Sequence, residues 1–157
     1  MQLYLIRHAH AIDDVDDARR PLSEKGRAQV KRVAHFLRAV ERFAPEEIWH
    51  SPLVRAVETA DLFARDLDTR APRREVGGLT PGDDPLAIVS GLARAPESLA
   101  IVGHEPHLSA LASLLVAGKA SPPVFQLKKC SVLALEGAKT HWVVRWQISA
   151  ELLGRKV

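Results

Sequence analysis

The chain has 157 residues, 46% hydrophobic and 26% charged, a balance that suits one globular domain with a buried core and excludes disorder as its overall description. Its net charge of +3 comes from dispersed Arg and Lys, with neither a basic tail nor a basic stripe interleaved with aromatics, which argues against a nucleic-acid partner. No apolar run is long enough to span a bilayer, the single Cys130 has no partner for an internal disulfide, and Met1 leads into the first predicted strand without a secretory signal, so a cytoplasmic location is expected.

The apolar run Leu3-Tyr4-Leu5-Ile6 predicts a central strand buried on both faces and ending at Arg7-His8. Ligands of open α/β sheets bind outside the carboxyl ends of the strands, which makes that dipeptide a candidate site. Asp13-Asp14-Val15-Asp16-Asp17 reads as a solvated acidic loop, because the glycine and terminal glutamate of a calcium-binding loop are missing at the required offsets. Ser23 offers a helix cap. Beyond it Val30, Val33, Leu37 and Val40 recur on one side and Arg27, Lys31, Arg38 and Arg42 on the other. Glu47-Ile48-Trp49-His50 predicts a second strand, after which Ser51-Pro52 supplies a cap and first-turn proline for a helix burying Leu53, Ala56, Val57, Ala60, Phe63 and Leu67.

A third strand ends at Glu75-Val76, and Gly77 to Asp83 form a loop. Asp83 or Asp84 caps a helix carrying Leu86, Val89 and Leu92, which Pro96 stops. Ser98 to Val102 predicts another buried strand, and it runs into Gly103-His104-Glu105-Pro106. Leu108, Leu111, Ala112 and Leu115 mark a fourth helix stopped by Gly118. Ser131 to Leu135 and Trp142 to Ile148 predict an antiparallel pair around a Glu136-Gly137 turn. The alternation predicts an α/β fold: a three-layer αβα sandwich with a mostly parallel central sheet, an antiparallel edge near the C-terminus, and a single domain over residues 1–157.

Three charged groups therefore follow three strands: Arg7-His8, Arg55 in the first turn of a helix, and His104. Together they suit phosphoryl transfer, since guanidinium groups bind phosphate oxygens in pairs and a helix N-terminus adds backbone donors. A histidine among them can attack phosphorus. His8 must be neutral to do so, and Arg7 and Arg55 disfavour its protonated form; its other ring nitrogen needs a fixed acceptor. His104, protonated by the bound dianion, would stabilise charge on the equatorial oxygens.

Arg7-His8-Ala9, the run from Ser51 to Ala60, and Val102-Gly103-His104-Glu105-Pro106 resemble the three hallmarks of the histidine phosphatase superfamily, also called phosphoglycerate-mutase-like. Arg20-Pro21-Leu22-Ser23, Leu79-Thr80-Pro81 and the small size are similar to the SixA-type phosphohistidine phosphatases. The resemblance implies His8 as the nucleophile that becomes phosphorylated, Arg7, Arg55 and His104 as holders of the phosphoryl group, Arg20 as a further phosphate contact, and no metal or other cofactor. It implies hydrolysis of phosphohistidine on a protein such as a phosphotransfer domain, with a small-metabolite phosphomonoesterase and a silent phosphate-binding module as alternatives. Two departures stand out. Ala9 replaces a glycine, and no glutamate in the loop after the third strand offers itself as the proton donor that an alkoxide leaving group needs. His35 and His50 read as surface or satisfied histidines, His10 stays open as a pocket residue, and His104 and His107 lack the third ligand of a zinc site. Trp49, Trp142 and Trp146 read as packing residues. The oligomeric state is left open.

Overall fold

The structure is a computed structural model that describes residues 1–40 and 43–154. Arg42, assigned above to the polar side of the first helix, lies outside them. Among the described residues six strands, β1 (Gln2–Arg7), β2 (Glu47–His50), β3 (Arg73–Glu75), β4 (Ser98–Gly103), β5 (Ser131–Ala138) and β6 (His141–Ser149), form one sheet in the order β3-β2-β4-β1-β5-β6. β1, β2, β3 and β4 run parallel, and β5 and β6 add the antiparallel edge. The described helices are α1 (Glu24–Val40), α2 (Val54–Asp66), α3 (Leu86–Leu92) and α4 (His107–Ala117), with a 3-10 turn at Asp17–Arg19. None of the described helices is long and apolar enough to cross a membrane.

The alternation along β1 splits the core into two layers. Tyr4 and Ile6 join Val30, Val33 and Leu37 of α1 and Ala60 and Phe63 of α2 on one face. Leu3 and Leu5 join Ile88 and Leu92 of α3 and Leu108 and Leu111 of α4 on the other. A strand covered on both faces carries apolar residues at every position, which is why the run 3–6 has no polar interruption. Truncating a side chain such as Leu5 or Phe63, both fully buried, removes about 2–5 kcal/mol of such packing.

Local chemistry sets the element ends. Ser23 caps α1 through its Oγ, which accepts from the Gly26 N–H at 3.0 Å. Gly118, with φ 79°, closes α4 in the left-handed conformation that glycine adopts without steric cost. Asp84 accepts from the Leu86 N–H at 3.0 Å at the start of α3, while Asp83 turns back onto Thr80.

Some expectations shift. α2 begins at Val54 with Leu53 at the N-cap, so Ser51 lies two residues before the capping position; its Oγ accepts from the Leu53 N–H at 3.3 Å and also meets His104. β3 ends at Glu75, and the Val76 N–H still donates to the His50 carbonyl at 3.0 Å. Leu86 is 57% exposed and Val40 60% exposed, because each sits at a helix end where the sheet no longer backs it. α3 stops at Leu92, ahead of Pro96, in successive tight turns closed by Arg94 and Ala95. The hairpin turns at Lys139 and Thr140; Glu136 and Gly137 stay in β5, paired with Val143 and Trp142. Gly137 serves close approach instead of chain reversal: a Cβ there would stand 2.4 Å from the His141 carbonyl oxygen and 2.6 Å from the Trp142 ring.

Candidate active site

β1 and β4 pair with Arg7 opposite Gly103, so the residues that follow, His8 and His104, leave the sheet side by side. Their ring centroids lie 5.1 Å apart. The His8 N–H donates to the Gly103 carbonyl at 3.0 Å, and the Ser51 N–H, just beyond β2, donates to the Val102 carbonyl at 3.3 Å. Three strand ends thus converge, and Arg55, second residue of α2, comes close enough for its charge to act on both histidines. His8, Arg55 and His104 are all buried.

The Nδ1–H of His8 donates to the Ala9 carbonyl at 2.7 Å, which leaves Nε2 bearing the lone pair. Burial pushes His8 from its usual 6.5 down to about 4; the Ala9 bond opposes this, and the charges of Arg55, Arg7 and Lys129 add to it. It is neutral at pH 7. The Ala9 N–H in turn donates to Thr59 Oγ1 at 3.1 Å, and that hydroxyl donates to the Arg55 carbonyl at 2.7 Å. Thr59 therefore ties the loop of the nucleophile candidate to the helix that carries Arg55.

His104 is held through Nε2, 2.5 Å from Ser51 Oγ, while its Nδ1 is buried with no partner among the described residues. Leaving such an atom unsatisfied costs about 1–3 kcal/mol. Burial, then repulsion from Arg55 and from His8 and His107 in their protonated forms, pushes His104 down to about 3, so it is uncharged in the free site at pH 7. Arg7 donates from Nη1 to the Leu127 carbonyl at 2.8 Å, and its Nε is likewise buried without a partner.

The acidic loop is not merely solvated. Asp17 receives Arg55 Nη1 on its carbonyl at 2.9 Å and Arg55 Nη2 on its carboxylate at 3.3 Å. The same carboxylate accepts from Arg20 Nη1 at 3.2 Å, and hydrogen bonding from Arg20, with the charge of Arg55, holds Asp17 below the usual carboxylate range. Arg20, which also donates to the Ile12 carbonyl at 3.1 Å, is thus joined to Arg55 through Asp17.

The other carboxylates near the site are committed. Glu105 accepts from the Ser109 N–H at 2.9 Å, from the Ser109 hydroxyl and from the Leu127 N–H at 3.3 Å, so it caps α4 and anchors the segment that holds Arg7. Asp83 accepts from the Thr80 N–H and hydroxyl at 2.8 and 2.7 Å. His10 stands apart from the phosphoryl-binding candidates: its Nδ1 lies 2.6 Å from Ser23 Oγ, and its N–H donates to Gln29 Oε1 at 2.9 Å. His50 is buried and satisfied, donating from Nδ1 to the Ser51 carbonyl at 2.9 Å, and His35 is exposed on α1.

Sequence reasoning missed Ser51 and Asp17 as site residues, and also Thr59. Ser51 carried a signal, a serine directly between a strand and the helix of Arg55, but the same position also suits a cap. Thr59 lies four residues after Arg55, one helical turn along, and that spacing alone could have pointed to it.

The sequence profile of the histidine phosphatase superfamily (branch 1) matches residues 3–77, the stretch that holds Arg7, His8, Arg20 and Arg55. An uncharacterized protein of Picosynechococcus sp. is 35% identical over 143 residues, spanning 86% of this chain and 84% of that protein. Among solved structures, the protein histidine phosphatase SixA complexed with tungstate is similar, with a TM-score of 0.86 at 24% identity over 98% of this chain and 100% of the other. Mycobacterial glucosyl-3-phosphoglycerate phosphatase is also similar, with a TM-score of 0.71 at 18% identity over 92% of this chain and 96% of the other. At these identities the two structures share the fold with this chain.

Proposed function

The chain belongs to branch 1 of the histidine phosphatase superfamily, and from that premise we propose that it hydrolyses phosphohistidine on a protein through a covalent intermediate on His8. His8 Nε2 attacks phosphorus while Arg7, Arg55 and His104 hold the equatorial oxygens. The bond between phosphorus and the substrate imidazole breaks; that ring, protonated by solvent on its other nitrogen before transfer, leaves neutral, and water then attacks phosphorus, releasing phosphate and regenerating His8. The bound dianion favours the protonated form of His104 and offsets the burial that keeps it neutral in the free site.

One observation carries the choice of substrate: the carboxylates around the site are hydrogen-bond acceptors in use, and the one that reaches Arg55, Asp17, is held ionised. An alkoxide leaving group needs a positioned proton donor, whereas the P–N bond of a phosphohistidine is labile once its ring is protonated. The metabolite-phosphatase reading needs a donor that these contacts do not supply.

Rapid quenching with labelled phosphohistidine substrate is expected to trap phosphate on His8 that is acid-labile and base-stable, and His8→Ala is expected to abolish turnover. A silent binding module would bind phosphate and release none. Across a leaving-group series, kcat/KM should fall from phosphohistidine peptide through acidic aryl phosphates to alkyl phosphates. Equal rates on the first and last would overturn the phosphohistidine reading in favour of a metabolite phosphatase.

A further inference from the structure

We propose that the groove lined by His10, Lys25, Arg32 and Lys129 is a second anion subsite that takes acidic side chains of the protein bearing the phosphohistidine. The inference rests on the function proposed above and adds what selects the substrate.

The groove opens directly from the nucleophile loop. Cys130, in a left-handed conformation with φ 57°, donates its N–H to the carbonyls of Arg7 and His8 at 3.2 and 3.1 Å, which sets the preceding Lys129 beside the strand end. His10, two residues past His8, forms the near wall. The far wall is one face of α1, where Lys25, Ala28, Gln29 and Arg32 follow at spacings of three, one and three residues and so lie in a single stripe. The volume enclosed is about 820 Å³, within the range of ligand-binding sites.

Its cations outnumber the carboxylates among the residues that line it. Lys25, Arg32 and Lys129 form no ion pair among the described residues; Arg32 donates to the Ala150 carbonyl at 3.3 Å. Glu151, a carboxylate that also lines the groove, is paired with Lys128 at 2.7 Å. Burial, and then the charges of Arg7, Arg20 and Lys25, press the Lys129 ammonium below its usual range, with Asp13 opposing them. Like charges held together in excess of the acidic groups near them are a standing cost that an anion relieves.

The length of the stripe selects the occupant. From Lys25 to Arg32 is seven residues, about 10 Å along the helix axis, and Lys129 extends the row to the nucleophile. A second phosphate on a small metabolite would meet Lys129 and leave Arg32 unused. Carboxylates one and two helical turns from a phosphorylated residue on a protein surface would meet the whole row.

The test compares two phosphohistidine peptides of equal length, one with Glu one and two helical turns from the phosphorylated residue and one with Gln there. With the wild type, kcat/KM is expected to be about tenfold higher for the acidic peptide, through KM and not kcat, and the advantage should shrink with salt. In the Lys25→Gln/Arg32→Gln double variant the advantage should vanish while turnover of an aryl phosphate stays unchanged, which also reports intact folding. Equal rates on both peptides in the wild type, persistence of the advantage in the double variant, or an equal advantage for a bisphosphorylated sugar would overturn the proposal. The parent reading fails separately. If aryl phosphate is hydrolysed and neither peptide is, fluorescence anisotropy of the unphosphorylated acidic peptide still decides the subsite: weaker binding to the double variant supports it, and equal binding overturns it.

Discussion

A guanidinium and an ammonium carry the same charge, and Arg55 is where the difference between them counts. Its two terminal nitrogens already reach two separate oxygens of Asp17, so the fork is set to hold two acceptors at once. Arg55→Lys keeps the charge and loses that geometry. Its kcat is expected to fall roughly 10²-fold or more, the scale for losing one transition-state donor; a near-normal kcat would remove Arg55 from the site. Ser51 makes a second case. Ser51→Ala leaves His104 Nε2 buried without its 2.5 Å partner, and should lower stability by about 1–3 kcal/mol and reduce kcat as the ring loses its fixed orientation. Urea unfolding and steady-state kinetics on the same preparation separate the two effects, and Ser51→Thr, which restores a hydroxyl, should recover part of both. His8, Arg7, Arg55 and His104 were readable in the sequence because each directly follows a strand or opens a helix, where chain order alone predicts convergence. Ser51, Asp17 and Lys129 were not, because their partners are 53, 38 and about 120 residues away and no local pattern encodes such pairings.

Among the elements, the docking of α1 against the nucleophile loop is the most demanding. A Cβ on Gly26 would stand 2.0 Å from the His10 carbonyl oxygen, a backbone atom that cannot simply rotate aside. Helix propensity argues the other way, since replacing glycine with alanine in a helix gains about 0.5–1 kcal/mol. The clash should win. Gly26→Ala is expected to destabilise by about 1–3 kcal/mol net and to raise KM, because the loop that must yield also carries His8; an unchanged urea midpoint would show that α1 does not press on that loop. The strand and helix order, the parallel sheet and its antiparallel edge were legible because burial on both faces leaves continuous apolar runs, and amphipathic helices leave a three-to-four spacing. The errors fell where one residue type has two uses. Gly137 reads as a turn, yet it is a site of close approach beneath Trp142, and Ser51 reads only as a cap, whereas its hydroxyl accepts from the Leu53 N–H and also meets His104. Periodicity likewise has no means of telling that the apolar stripe outruns the sheet at Val40 and Leu86.

At the scale of the whole molecule, a site built from buried neutral histidines ties folding to pH. His8 and His104 fall from 6.5 to about 4 and about 3, so between those values the unfolded chain binds protons that the folded chain does not. Stability therefore rises with pH across this window: the contribution is full above about 6.5 and is lost progressively as pH falls toward the folded values. The buried His107, also lowered chiefly by burial, adds in the same direction. Carboxylates contribute further down, since Asp17 and Asp83 are lowered from 3.8 and lose their share only below that value. Loss of stability between pH 6.5 and 5 thus belongs to the histidines. The urea midpoint is expected to hold steady from pH 8 to 7 and to fall from about 6.5 downward, with a shallower fall in the His8→Asn/His104→Gln double variant. A midpoint unchanged from pH 7 to 5 in the wild type would mean that the histidines are not held neutral by burial. Because His8 needs its Nε2 lone pair to attack, the acid limb of kcat/KM should lie near the same folded value of about 4, well below the limb of the stability curve. On moving from pH 7 to pH 5.5 the protein should lose stability before it loses the nucleophile.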